Sequence, residues 1–431
     1  MTTTSPDVAL PRLLAGVSFR GMAQLERHVE VHGPMPAPEE LDATGVIGLA
    51  ERSKLRGRGG AGFPAAIKMR AVRAARGRPI VVANGCESEP ISGKDALLLH
   101  ETPHLVLDGA ALAARAVGAD RVILAYEGPR SDTRISLEHA LKQRRAARVD
   151  SVRFELFAAA EKFLTGQETA LMAQINGGLP RPSFIPPRPT ERGVRRRPTL
   201  VQNVETLAHL ALIARHGAGW YSQLGTAAET GSTLVTVAGA VGMPGVYEIE
   251  RGTPLPQLFA AAGGVTGELA GLLVGGYFGS WLPAALASEV ELSTAALATH
   301  DASLGCGVLV ALPASSCPVA ETVRVAIYLA TETAQQCGPC VHGTAAIART
   351  LHGIAEGRTS AAAFADLERW TSAVSGRGAC HLPDGLAHFV ATALRTFAAA
   401  FDDHASHGPC DACGTEPLLR FPDPVPTARR A

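Results

Sequence analysis

Apolar and polar positions change rhythm three times along this chain. Between 36 and 225, apolar runs of strand length alternate with longer stretches of helical period. Ile67, Met69 and Val72 belong to a stretch of helical periodicity. They lead into Pro79-Ile80-Val81-Val82-Ala83, a continuous apolar run typical of a strand buried on both faces. The pattern then predicts a helix over 97–117, a strand over 121–126, a helix over 131–143 and a strand over 152–156. Such alternation specifies a mainly parallel α/β sheet covered on both sides. The stretch 179–198, dense in Pro and Arg, reads as an extended, ordered surface loop.

From Ser232 the rhythm shortens. Thr233 to Ala238 alternates as a strand, Gly242-Met243-Pro244-Gly245 is a turn, Val246 to Ile249 is a second strand, and a short helix follows over 254–262. This predicts a small β-grasp-like module. Helical periodicity then dominates 319–401. The expected division is a loose lead-in over 1–35, an α/β domain over 36–225, the β-grasp-like module over 226–305, a helical bundle over 306–405, and a flexible tail over 406–431 whose end is Ala428-Arg429-Arg430-Ala431.

Composition narrows the function. The 40 basic and 40 acidic residues cancel, which removes any global attraction to nucleic acid or anionic lipid. No apolar run reaches the roughly 18 residues of a membrane span, so no direct membrane insertion is expected. Met1-Thr2-Thr3-Thr4-Ser5-Pro6 lacks a secretory pattern, and a cytoplasmic location is expected. Of the 8 cysteines, Cys337, Cys340, Cys380, Cys410 and Cys413 crowd the last part of the chain. In a reducing compartment such thiols hold iron–sulfur or zinc rather than disulfides.

Two segments carry the chemistry. Gly57-Arg58-Gly59-Gly60-Ala61-Gly62-Phe63-Pro64 fits the dinucleotide pattern, but helical residues precede it and the strand comes afterwards, so a standard Rossmann site is not expected. Its glycine amides and the helix opening after Pro64 can still cradle a phosphate. After the first strand, Asn84-Gly85-Cys86-Glu87-Ser88-Glu89-Pro90 and Lys94-Asp95 form an acidic loop where ligands of such sheets bind. Downstream, Cys337-Gly338-Pro339-Cys340 and Cys380-His381 supply thiolates.

Together these segments resemble the flavin-binding subunit of respiratory complex I and its relatives in NAD-linked hydrogenases and formate dehydrogenases. Phe163-Leu164-Thr165-Gly166-Gln167-Glu168-Thr169 is similar to that family's third motif, and Pro198-Thr199-Leu200-Val201-Gln202-Asn203-Val204-Glu205-Thr206-Leu207 to its fourth. The resemblance implies an FMN-binding α/β domain, an SLBB-type β-grasp insert and a helical iron–sulfur domain. It also implies electron transfer from NADH through FMN to a 4Fe–4S cluster, and a ferredoxin-like or other iron–sulfur partner subunit. It assigns Gly57, Arg58, Gly59, Gly60, Gly62 and Lys68 to the FMN phosphate, and Asn84, Glu87, Glu89 and Asn203 to its ribityl chain and ring. Gly166 and Gln167 also fall on the cofactor, Glu168 and Phe63 face the nicotinamide, and Cys337, Cys340 and Cys380 hold the cluster.

This chain departs from the family where NADH would bind. Gln167 stands where the family has a second glutamate, Ile185 and Arg188 replace a lysine and an aromatic, and Cys86 replaces an aspartate. The expectation is that FMN binds and that NADH is a weak donor or is replaced by a protein donor. Ala334 occupies the first cysteine position of the cluster motif. The fourth ligand is then His342, Cys410, Cys413 or an external group, or the cluster has three irons. Alternatives are structural zinc on Cys337, Cys340, Cys410 and Cys413, or a cofactor-free scaffold. A thioredoxin-like dithiol needs a strand before Cys337, and that region reads as helix. Cys306 and Cys317 read as small buried hydrophobes, and His100, His104 and His209 as structural residues.

Overall fold

The structure, a computed structural model, describes residues 10–17, 21–358 and 362–422; the chain end from Ala428 lies outside them. Strands β1 (Ile80–Gly85), β2 (Arg121–Glu127), β3 (Arg153–Ala159) and β4 (Thr199–Asn203) form one parallel sheet in the order β3-β2-β1-β4. Alternation along β1 divides the core. Val81 and Ala83 pack with Val46, Leu107 and Leu207 from helices on one face, while Ile80 and Val82 meet Leu171 and Met172 on the other. The helix expected over 97–117 is two helices, Lys94–Glu101 and Pro103–Val117. Pro103 has no amide to continue the first, so the chain turns at Thr102. Helix Pro103–Val117 lies directly on helix Val204–Tyr221: a Cβ on Gly109 would stand 1.8 Å from the Leu207 carbonyl oxygen.

A second sheet contains β5 (Ser232–Gly239), β6 (Gly245–Glu250), β7 (Leu269–Val274), β8 (Ser280–Pro283) and β9 (Val308–Pro313), in the order β6-β5-β9-β7-β8. Strands β5 and β9 run parallel and the other pairs antiparallel, giving a mixed β-grasp-like sheet. The module therefore extends past the boundary at 305. Strand β9 is central, yet its partners are remote in sequence and its local pattern points to no sheet. Helices Pro318–Thr331, Thr344–Ala355, Ala363–Val374, Leu382–Thr396 and Ala398–His407 then pack around Leu329, Leu351, Leu367 and Phe389. Among the described residues, no helix is long and apolar enough to cross a membrane.

The described parts of both supposedly loose segments are anchored. The Glu248 carboxylate accepts the amides of Arg12 and Leu13, each at 2.8 Å, and Leu13 is fully buried. At the other end, Glu321 accepts the amides of Leu418 and Leu419 at 2.9 and 3.1 Å. Leu419 is fully buried, the Tyr277 hydroxyl donates to the Arg420 carbonyl, and Phe421 packs on Tyr277 and Tyr328. The segment 408–422 is thus a strap across the bundle. Its last residues, Arg420 to Pro422, border a cavity of about 230 Å³ with Glu87, Ser88 and Lys162 of the α/β domain.

Candidate functional site

Strand β1 has β2 on one side and β4 on the other, so a crevice opens between β1 and β4 beyond their carboxyl ends. The register sets Asn84 and Asn203 side by side there. Asn203 caps helix Val204–Tyr221 by accepting the Glu205 amide at 2.9 Å, and its Nδ2 donates to Asp95 at 2.6 Å. Asn84 donates to the Gly166 carbonyl at 2.9 Å and accepts the Cys86 amide at 3.1 Å. These asparagines fix three loops around the crevice.

The glycine loop lies against Asn203. The Gly57 amide donates to the Phe63 carbonyl at 2.9 Å and closes the loop. A Cβ on Gly59 would stand 3.4 Å from the Asn203 Cβ. Gly60 and Gly62 have φ of +108° and +60°, the left-handed region where glycine carries no penalty. Helix Ala65–Ala74 begins just after the loop, so its positive end is close by.

Some predicted side chains face this crevice and others brace the fold. Lys68 Nζ stands 2.7 Å from Glu168 Oε2, joining a phosphate candidate to a nicotinamide candidate. Phe63 is half exposed. Gln167 caps helix Glu168–Ile175, accepting the amides of Thr169 and Ala170. Gly166 donates its amide to Ser88 Oγ at 2.7 Å, and a Cβ there would fall 1.9 Å from that oxygen. Glu87 accepts from Ser92 Oγ and from the amides of Asp95 and Ala96, capping helix Lys94–Glu101. The Arg58 guanidinium turns inward to the Tyr221 hydroxyl at 2.9 Å and the Ser232 carbonyl at 3.1 Å. Glu87 and Arg58, both expected at the cofactor, thus commit their side chains to protein partners. Buried Glu89 accepts the Tyr277 amide at 2.7 Å, and burial pushes its carboxyl up to about 8.

Sequence reasoning placed Lys94 and Asp95 in the acidic loop and gave Glu205 the task of holding the closing loop, but did not foresee that the three would meet. Lys94 Nζ lies 2.7 Å from Asp95 and 2.9 Å from Glu205, all three buried. Burial alone would raise Glu205; Lys94, then His209 and Arg58, outweigh it and hold the carboxyl below its usual range. Glu205 also accepts from Thr233 Oγ1 and the Leu234 amide, each at 2.9 Å, and so ties β5 to the α/β domain. Lys94, Cys306, Gly305 and the glycine loop line a cavity of about 230 Å³. A lysine beside an aspartate in a polar loop carries no sequence signal of burial. Glycine amides with Lys68 and Lys94 form a donor set that fits an anionic mononucleotide such as FMN. His104 and His209 are buried beside Gln143 and Glu205, as structural residues should be.

In the bundle, Cys337 Sγ and Cys340 Sγ are 3.4 Å apart, before and within a π-helical turn, Pro339–Gly343. The Ala379 amide supports the Cys337 sulfur, which brings Cys380 to the same place. Burial, with Cys337 and then Cys380, pushes the Cys340 thiol up to about 12. The three thiols fit an iron–sulfur cluster, and Ala334, at the missing position, is half-buried and apolar. Cys410 and Cys413 do not join this trio. They stand 3.7 Å from each other, with Cys317 and His404. That corrects the tail as a source of the fourth ligand and the zinc set pairing it with Cys337 and Cys340, while Cys317 is buried in the bundle core as a packing cysteine should be. Short spacing groups Cys410 with Cys413 but does not indicate which distant residues they meet.

A switch-point crevice under a glycine loop, a β-grasp module and a thiol trio in a bundle define an FMN-dependent electron-transfer protein with an iron–sulfur centre. Family models match in that order: the Nuo51 FMN-binding domain over 50–212, the SLBB domain over 234–272, and the NADH-ubiquinone oxidoreductase-F iron–sulfur binding region over 320–404. The second F-type subunit of NADH-quinone oxidoreductase in Rhizobium meliloti (strain 1021) is 28% identical over 85% of this chain and 90% of its own length. The F-type subunit of the same enzyme in Rickettsia massiliae (strain Mtu5) is 30% identical over 82% of this chain and 87% of its own. An air-oxidised NAD+-reducing NiFe hydrogenase superposes with a TM-score of 0.82 and 29% identity, over 98% of this chain and 73% of that one. Its H2-reduced form gives 0.79 and 30% over 85% of this chain, which spans 63% of the hydrogenase chain. The chain belongs to the family of NADH-quinone oxidoreductase F-type subunits. It is an FMN and 4Fe–4S electron-transfer subunit of the NADH-linked oxidoreductases.

Proposed function

We propose that this chain oxidises NADH in the cytoplasm and delivers the electrons to an iron–sulfur partner subunit. The carrying observation is the glycine loop seated on Asn203 in a chain that also gathers three cysteine thiols. Bound FMN would supply the chemistry, taking a hydride and releasing electrons singly to the cluster. The amides of Gly57, Gly59, Gly60 and Gly62 would hold its phosphate with Lys68, while Asn84, Asn203 and Glu89 bound the crevice. Glu168, paired with Lys68, and the half-exposed Phe63 would meet the nicotinamide nucleotide. Cys337, Cys340 and Cys380 would carry the cluster, completed by His342 or an external ligand.

The nucleotide side is reduced relative to the family. Gln167 lacks a charge and serves as a helix cap, so NADH is held by fewer groups. This favours weak NADH binding and leaves room for a protein donor. Oxygen-free titration of the FMN-loaded chain with NADH, followed by flavin absorbance, tests the proposal. Bleaching at high NADH supports it. A flavin that dithionite reduces but NADH leaves oxidised at every concentration would refute NADH as donor.

A further inference from the structure

Four ligating side chains converge beneath the strap, away from the thiol trio. Cys317 caps helix Pro318–Thr331, its sulfur accepting the Ala320 amide at 3.3 Å. His404 lies in the last turns of helix Ala398–His407; Cys410 precedes the short turn Asp411–Gly414 that follows, and Cys413 lies within it. Their ligand atoms all lie within 4.8 Å of one another. Cys317 Sγ is 3.4 Å from His404 Nε2, Cys413 Sγ is 3.9 Å from it, and the two strap sulfurs are 3.7 Å apart.

These separations match one tetrahedral ion. Bonds of about 2.3 Å to sulfur and about 2.05 Å to nitrogen place neighbouring ligand atoms about 3.5–3.8 Å apart. The histidine is already oriented. Its Nδ1 is 2.9 Å from the Ala355 carbonyl, which can only accept, so the proton is on Nδ1 and the Nε2 lone pair faces the sulfurs. Cys317 and His404 are buried, Cys413 is half-buried, and Cys410 is the most open of the four. Cys317, Cys410 and Cys413 lie outside the matched iron–sulfur region, which ends at 404.

We propose that Cys317, His404, Cys410 and Cys413 bind a structural Zn²⁺ that fastens the strap to the bundle. Three thiolates and an imidazole fill all four positions, the arrangement of a structural centre rather than a catalytic one. The ion joins the start of the first bundle helix to the end of the last, and holds the residues leading to Leu419.

The test is elemental analysis of the full chain, purified with FMN and cluster in place, together with zinc K-edge absorption. About one zinc per chain with a shell of three sulfurs and one nitrogen is expected. The paired substitution Cys410→Ser/Cys413→Ser should lose the zinc and retain iron and flavin. Cys337→Ser/Cys340→Ser should lose iron and retain zinc. Absence of zinc from the unmutated chain, an all-sulfur or oxygen-rich shell, or loss of iron instead of zinc in the strap variant would each overturn the proposal. The K-edge spectrum needs no variant, so the test stands even if a substitution prevents folding.

Discussion

Glu89 makes the stability of this chain depend on pH, and the size of the effect follows from its surroundings. The carboxyl is buried between the acidic loop and Tyr277, and burial pushes it up to about 8 from the ordinary value of 4.5. The folded state therefore holds a proton that the unfolded state has released throughout that window. Unfolding becomes easier as pH rises through it, and the loss is complete above about pH 8. At about 1.36 kcal/mol per unit, the upper limit is about 5 kcal/mol, and local relaxation lowers it to a few. Glu89→Gln keeps the shape and an acceptor for the Tyr277 amide but cannot ionise. The variant should match the unmutated chain near pH 5 and surpass it by a few kcal/mol above about pH 8. Urea unfolding followed by tryptophan fluorescence at several pH values measures this, since Trp281 lies on the strand just after Tyr277. A difference between the two proteins that stays constant across the range would refute the reasoning.

Two further outcomes are expected. Ala334→Cys restores a thiol at the vacant motif position; iron should stay at about four per chain, and the reduced paramagnetic signal should change form as a thiolate replaces the fourth ligand. An unchanged spectrum would exclude residue 334 from the cluster. Gly60→Ala places a side chain at a φ of +108° in the phosphate loop, a strain of about 1–3 kcal/mol, and should weaken FMN retention at least several-fold with the cluster unaffected. Fluorescence of flavin released on dilution reads this directly, and retention equal to the unmutated chain would remove the loop from the cofactor site.

Much of the fold could be read in the sequence because strand and helix periods there are unambiguous. Ile80 to Ala83 is a run that fits only a doubly covered strand, and the glycine loop precedes it in an order that excludes a standard dinucleotide fold. Strands β7 and β8 escaped, because a short apolar run acquires its meaning from remote partners. The turn at Gly60 and Gly62 was legible because positive φ favours glycine there. The charges were not: Lys94 and Asp95 sit in a polar-looking loop, and only the approach of Glu205 from another helix explains their burial. The approach of Cys317 and His404 to the strap cysteines was hidden for a similar reason, since a lone cysteine before a proline and a histidine near a helix end have no spacing in common.

The strap brings residues 420–422 beside a loop more than three hundred positions earlier in the sequence. Arg420, Phe421 and Pro422 line the same hollow as Glu87 and Ser88, so whatever is attached beyond them departs from the doorstep of the acidic loop. A fluorophore or spin label placed at Pro422 would sense movement of that loop from outside. A fused electron carrier would start its tether beside the region assigned to the flavin.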